Sequence, residues 1–151
     1  MRDRYATGSV TGDVAAGGLI GWNQGTITNS YFAGSVTGEY LVGGLVGLNE
    51  KRTVSRCYAS GSVTGQYQVG GLVGSNENAT VGNSFWDTET SGQSNSAGGT
   101  GKSTAEMKSI ATFTDAGWDI IAVSSPGTHN PSHIWNIVNG VTYPFLSWQA
   151  V

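Results

Sequence analysis

Over the first 90 residues the apolar positions fall in short runs broken by Gly, Ser, Thr and Asn, with no 3.6-residue periodicity long enough for a helix. The runs recur. Reading from Tyr5 gives YATGSVTGDVAAGGLIGWNQGTITNS, from Tyr31 YFAGSVTGEYLVGGLVGLNEKRTVSRC, and from Tyr58 YASGSVTGQYQVGGLVGSNENATVGNS. A fourth start, Phe85-Trp86, opens alike and then departs. The steps are 26, 27 and 27 residues, so three repeats share one register, with one inserted residue in the last segment of the second. Val10, Val36 and Val63 are equivalent, as are Leu19, Leu45 and Leu72, the following Ile20, Val46 and Val73, and Ile27, Val54 and Val81. Each repeat is expected to hold three short strands separated by Gly-, Asn- or Thr-containing corners.

Three short strands in 26–27 residues make one coil of a solenoid. A lone coil cannot bury its apolar face, whereas a stacked one can. Parallel stacking at ~4.8 Å per coil puts like residue on like, predicting an aromatic ladder of Tyr5, Tyr31, Tyr58 and Phe85. Asn23, Asn49 and Asn76 then share a corner where their amides bond from coil to coil. The pairs Gly17-Gly18, Gly43-Gly44 and Gly70-Gly71 suit corners that need φ > 0 or close backbone approach. A propeller blade needs ~40 or more residues, and a meander gives no reason for residue types to repeat at this spacing. The expected fold is all-β: a parallel β-solenoid (β-helix) of about three 26–27-residue coils with a C-terminal cap.

The division expected is 1–90 for the coils (5–30, 31–57, 58–84, and a partial one from 85) and 91–151 for a loop, short helix and aromatic-rich hairpin forming the cap. Ser103-Thr104-Ala105-Glu106 has capping-box spacing, and Met107, Ile110 and Ala111 give the helix one apolar stripe. Ile134–Val138 and Val141–Leu146 flank Asn139-Gly140, which predicts a hairpin with a type I′ turn, with Pro144 on an edge strand. Trp118, Trp135, Trp148, Phe113 and Phe145 supply the bulk to cover a solenoid end. At the other end the chain enters directly at the first strand, which predicts an unpaired coil edge at Tyr5 and Val10, a place for assembly or for missing coils.

Composition narrows the function classes. Gly occupies 24 of 151 positions and charged residues only 11%, yet five Trp, six Tyr and four Phe separate the chain from a disordered linker. With a net charge of −3 and seven scattered Lys and Arg, no nucleic-acid partner is expected. No apolar run suits a bilayer crossing, so membrane insertion is not expected, and no signal peptide is visible behind Met1. The single Cys57 aligns with Ser30 and Ser84 and reads as a packed core thiol.

The remaining candidate chemistry is sparse. Gly101-Lys102-Ser103-Thr104 resembles the end of a phosphate loop, but the required upstream glycine is Ser96, so a helix cap explains it. His129 and His133 flank Pro131 and read as surface histidines on a loop. Glu50 aligns with Glu77, and Asp13 with Glu39 and Gln66. Stacked carboxylates suit calcium or acid–base work on a sugar, as do Asp87 and Glu89 for calcium, but Gln24 and Gln66 dilute the ladders and a solvated rim is the reading. No catalytic residue, metal ligand or cofactor is expected. Asn78-Ala79-Thr80 is a glycosylation sequon on a corner. Tyr40 and Tyr67 share a column with Val14, and Trp22 one with Leu48 and Ser75; where exposed, Tyr40, Tyr67 and Trp22 are the candidate surface for a ligand or partner.

The repeated GGLIGWN, GGLVGLN and GGLVGSN resemble the GLUG-motif repeat, found in bacterial and archaeal surface proteins that include haemagglutinin-like adhesins and the non-catalytic part of some immunoglobulin A peptidases. FWDTETSG, GGTGKSTAEM, GWD and IWNIVNGVTYPFLSW resemble the way such arrays end. The resemblance implies an extracellular or cell-surface, non-enzymatic module, structural or adhesive, whose partners are surface proteins or glycans. No HExxH zinc motif accompanies it. Two alternatives stand beside it: a filament subunit joined head-to-tail through the open coil edge, and a polysaccharide-acting β-helix enzyme.

Overall fold

A computed structural model describes residues 1–149; Ala150 and Val151, the last two of the expected cap, lie outside the described residues. The chain divides into two compact units, Met1–Lys102 and Ser103 onward.

The first unit is a parallel β-solenoid. Coil one holds β1 (Tyr5–Thr11), β2 (Val14–Gly17), β3 (Ile20–Asn23) and β4 (Ile27–Thr28). Coil two holds β5 (Tyr31–Thr37), β6 (Tyr40–Gly43), β7 (Val46–Glu50) and β8 (Thr53–Ser55). Coil three holds β9 (Tyr58–Ser60), β10 (Val63–Thr64), β11 (Tyr67–Gly70), β12 (Val73–Glu77) and β13 (Thr80–Gly82). Like strands pair in parallel: β1 with β5, β2 with β6 and β11, β3 with β7 and β12, β4 with β8 and β13. The registers Tyr5↔Tyr31↔Tyr58 and Asn23↔Asn49↔Asn76 are those expected from the repeat.

Each coil has four sides where the sequence predicted three. The segments VAAG, YLVG and YQVG form strands of their own, because the double glycines after them turn the chain. These glycines have no positive φ; they are needed for close approach. A Cβ on Gly43 would strike the Val46 carbonyl oxygen, and one on Gly44 the Gly71 carbonyl oxygen. The second glycine also makes room for an aromatic ring, since a Cβ on Gly18 would run into Phe32 and one on Gly71 into Trp86. Left-handed backbone falls instead on non-glycine columns: Ala15, Leu41 and Gln68 at φ 57°, 56° and 53°, and Asp3, Asn29, Arg56 and Asn83 at 53°, 50°, 50° and 50°.

The extra residue belongs to the second and third coils alike. Lys51 and Asn78 occupy it, both left-handed at φ 57° and 49°, while Gly25 in the shorter first coil bonds back to Asn23 Oδ1 at 3.1 Å.

Inside the coils, Val36, Val42, Leu45, Val46, Val54, Leu72 and Val73 are fully buried. Phe32 and Trp86 alternate with Ala6 and Ala59 along one column, large on small. On the opposite face of that sheet, Tyr5 stacks on Tyr31 at 5.4 Å and Tyr31 on Tyr58 at 4.7 Å, with Phe85 next in register.

Both ends of the stack depart from expectation. The run 91–101, expected as a loop, belongs with 88–90 and Lys102 to an irregular terminating coil. After β14 (Phe85–Asp87), α1 (Thr88–Ser91) is capped by the buried Asp87, which accepts from Glu89 and Thr90 N–H at 2.9 and 3.0 Å. Then β15 (Thr100–Lys102) pairs with β14. Between them Gly71 N–H donates to Asn95 O, Val73 N–H to Ser96 Oγ, and Gln93 Nε2 to Val63 O, at 3.0, 2.9 and 2.8 Å. At the other end β1, β2 and β3 are edge strands, but the fourth side is partly covered: Arg2 bridges Thr28, and Thr28 N–H donates to Met1 O at 3.1 Å.

The second unit has its own core of Met107, Phe113, Trp118, Trp135, Ile137 and Leu146. The capping box forms at α2 (Thr104–Met107), with Ser103 Oγ accepting from Glu106 N–H at 3.1 Å. The expected single helix breaks at Lys108-Ser109 and resumes as α3 (Ile110–Thr114), so Ala111 is exposed and Phe113 carries the apolar face. Unpredicted β16 (Ile120–Ala122) pairs in parallel with β17 (Trp135–Ile137), and β17 pairs antiparallel with β18 (Phe145–Leu146). The hairpin is therefore real but its turn is not type I′: only Gly140 has positive φ (82°), Asn139 does not. Val141 N–H closes a turn onto Val138 O at 2.9 Å, and Val141–Pro144 form no strand; Pro144 is buried just before β18.

Candidate functional site

The solenoid presents one exposed aromatic column, Tyr40 and Tyr67, and one further exposed aromatic, Trp22. Tyr40 begins β6 and Tyr67 begins β11, and because the strands are in register their rings stack at 4.9 Å and 14°. Both are exposed, at 42% and 53%, as is Val14 on β2. Next along the column backbone lie the left-handed residues Leu41 and Gln68, a turn that sequence reading missed because it looked for glycine there. Asp13, Glu39 and Gln66 precede this column and are exposed to solvent.

Trp22 sits on β3, in register with Leu48 of β7, and is 56% exposed. Its indole N–H donates to Glu50 Oε2 at 2.8 Å, and Glu50 in turn lines an open depression of about 390 Å³. Gln24, Glu50, Lys51 and Arg52 line that depression. It arises where coil one turns with one residue fewer than coil two, so Lys51 stands out as a left-handed bulge. Arg52 is held across the step by Nε donating to Gln24 O at 2.9 Å. Trp22, a candidate only where exposed, is exposed here; Gln24, Lys51 and Arg52 were not among the candidates, and the one-residue difference between the coils was the available signal.

The other candidates fall apart from these. Asn78 is exposed on its corner. Tyr5 and Val10 lie on the edge strand β1, both half-buried. Glu50 and Glu77 are register neighbours. His133 Nδ1 meets Asp119 Oδ1 at 2.6 Å, whereas His129 Nδ1 contacts Ser147 O at 2.8 Å, so the two histidines have separate partners. Among the described residues no three His, Cys, Asp or Glu come together as metal ligands. Cys57 is buried, its thiol donates to Ser55 O at 3.2 Å, and burial pushes its pKa up to about 12. It fills the slot that Ser30 and Ser84 fill in the neighbouring coils, where each hydroxyl donates to the carbonyl two residues earlier at 3.0 Å.

Four parallel sheets stacked side on side, each carrying the same residue from coil to coil, define a β-solenoid repeat protein. The family model of the GLUG motif matches two consecutive segments, residues 12–37 and 38–64, whose lengths are those of the first two coils. No curated protein and no solved structure matches the chain. No helix among the described residues is long and apolar enough to cross a membrane.

Proposed function

We propose that the chain is a non-enzymatic structural and adhesive module of an extracellular cell-surface protein, a rigid spacer whose exposed aromatics bind a protein or glycan. The observation that carries the reading is the Tyr40–Tyr67 stack: two large aromatic rings left in water at 42% and 53% exposure on a scaffold whose inner valine and leucine columns are buried in its second and third coils. Exposed aromatics in a regular array are contact surface rather than core. The scaffold supports the spacer role, because backbone ladders and side-chain ladders run the length of the stack. The two GLUG matches fit such a repeat module.

The test is the double variant Tyr40→Ala/Tyr67→Ala, compared with Val141→Ala, in a binding assay on cells and matrix-coated surfaces. Loss of binding in the double variant alone, with unchanged circular dichroism, supports the reading; equal binding by all three proteins refutes it. A second reading, self-association, is favoured by the edge position of β1, β2 and β3. Light scattering over a concentration series decides it, since a constant monomer mass excludes a head-to-tail filament.

A further inference from the structure

We propose that the depression beside Trp22 is a binding subsite for an acidic saccharide, a sugar unit carrying a carboxylate. The inference deepens the adhesive reading by giving one exposed aromatic a ligand class, and it rests on that reading for its setting.

Three features point to a sugar. The first is the indole itself. Its polar edge is engaged by Glu50 at 2.8 Å, and the residue is 56% exposed next to a side chain that lines the depression. An aromatic face next to polar groups suits a pyranose ring, whose axial C–H bonds make one apolar face and whose hydroxyls point outward. The second is size. At about 390 Å³ and open to solvent, the depression has room for a sugar ring lying in it with one side in water. The third is the polar lining: Gln24 can donate to and accept from sugar hydroxyls, and the second Glu50 oxygen can accept from them.

Charge makes the sugar acidic. Lys51 and Arg52 outnumber Glu50, and neither forms an ion pair among the described residues. Arg52 is already oriented by its bonds to Gln24 O and Lys51 O at 2.9 and 3.5 Å, and its guanidinium has N–H donors to spare. A guanidinium held in place is suited to a carboxylate, which it binds with two parallel bonds. The site is also particular to one step of the stack. At the next step Leu48 and Ser75 replace Trp22, and Glu77-Asn78-Ala79 carries no cation, so the geometry is not a repeated feature of the coils.

The probe is a galacturonate tetramer, titrated at millimolar concentration while following the Trp22 indole N–H resonance, assigned by its loss in Trp22→Phe. The expected result is a saturable shift, weakened at least about tenfold in Trp22→Ala and in Arg52→Gln, and unchanged in Trp148→Ala, which removes another exposed Trp. The methyl-esterified tetramer, the same sugar without its charge, should bind at least about tenfold more weakly. Tetraglutamate, the same charge without the sugar, should give no shift at Trp22. Failure of the galacturonate to bind, binding unaffected by Trp22→Ala, or equal binding by tetraglutamate each overturns the proposal. Because Trp22 and Arg52 are exposed, their truncation leaves the core intact, and a thermal melt checks this. If galacturonate fails while the Tyr40/Tyr67 variant still abolishes surface binding, the saccharide assignment fails alone. If galacturonate binds and that variant has no effect, the Tyr40/Tyr67 adhesive reading fails instead.

Discussion

Truncating Asn49 tests whether the corner ladder holds the coils together. Asn49 is fully buried at the middle of three amides: its Oδ1 accepts from Asn23 Nδ2 at 2.8 Å, and its Nδ2 donates to Asn76 Oδ1 at 2.9 Å. Asn49→Ala removes two interior hydrogen bonds, about 1 kcal/mol each net. It also strands the amide of Asn23, itself only 2% exposed, which adds at least about 1 kcal/mol for a buried donor without a partner. The sum is about 3 kcal/mol, a large share of the ~5–15 kcal/mol that holds a domain folded, and roughly 10 °C in melting temperature. Asn76→Ala should cost about half as much, because Asn76 is partly exposed and Asn49 Nδ2 keeps a second acceptor in Arg52 O at 3.4 Å. Urea unfolding followed by circular dichroism gives all three values, with half-exposed Leu48→Ala as the neighbour expected to cost under ~1 kcal/mol. If Asn49→Ala lies within ~1 kcal/mol of the parent, or costs no more than Leu48→Ala, the amide ladder is not what binds coil to coil at this corner.

Other consequences are open to the same measurements. Gly43→Ala puts a methyl against the Val46 and Leu72 carbonyls and should cost more than ~3 kcal/mol or abolish folding, while Gly82→Ala, with nothing within 4 Å, should be neutral or slightly stabilising. The buried Cys57 thiol should resist alkylating reagents until the protein unfolds. Its pKa is raised to about 12 from 9.0, so the unfolded chain loses the proton first and stability falls between those values, by at most ~1.4 kcal/mol per pH unit; in Cys57→Ser that component should vanish from the pH profile of unfolding. In the second unit Asn139 Oδ1 accepts from Ile110 N–H at 2.9 Å and caps α3 in place of Ser109, which makes no side-chain cap. Asn139→Ala should therefore destabilise that unit by about 1 kcal/mol, read as an earlier melting transition of its tryptophan signal.

What could be read from the sequence was what parallel stacking forces to repeat. Tyr5, Tyr31 and Tyr58, or Asn23, Asn49 and Asn76, align because each is the neighbour of its own equivalent, so the repeat spacing alone located both ladders. The local capping box at Ser103 was legible for the same kind of reason, since both partners lie within four residues. The number of sides was not legible. Leu41 and Gln68 take left-handed backbone that their side chains disfavour, and only the ladder on either side of them makes that conformation worthwhile. Phe32 filling the space beside Gly18 is likewise a contact across the coil, invisible to periodicity. At Asn139-Gly140 the dipeptide suggested a two-residue turn, but the Asn side chain is committed to Ile110 and the strands pair farther out, at Trp135↔Leu146. The candidate site was half legible: the repeat spacing put Tyr40 beside Tyr67 and named Trp22, but their exposure had to be read from the structure, and Lys51 and Arg52 matter only because coil two is one residue longer there than coil one.

A stack of like coils has no internal reason to stop, so its end must be specified by residues that break the pattern. Residues 88–99 do this in part by substituting polar side chains for strand backbone. Where a further coil would offer a carbonyl, Ser96 Oγ takes the Val73 N–H at 2.9 Å, and where it would offer an N–H, Gln93 Nε2 donates to Val63 O at 2.8 Å. Thr90 Oγ1 takes the Gly61 N–H at 3.1 Å in the same way. On these sides hydroxyl and amide groups satisfy the edge without adding a full strand, whereas on the first side β15 adds one short strand beyond β14, so the sides are closed by different means. The run of Ser, Gln, Asn and Gly that looks like a linker is, in this fold, the part of the first unit that makes three coils a finite stack.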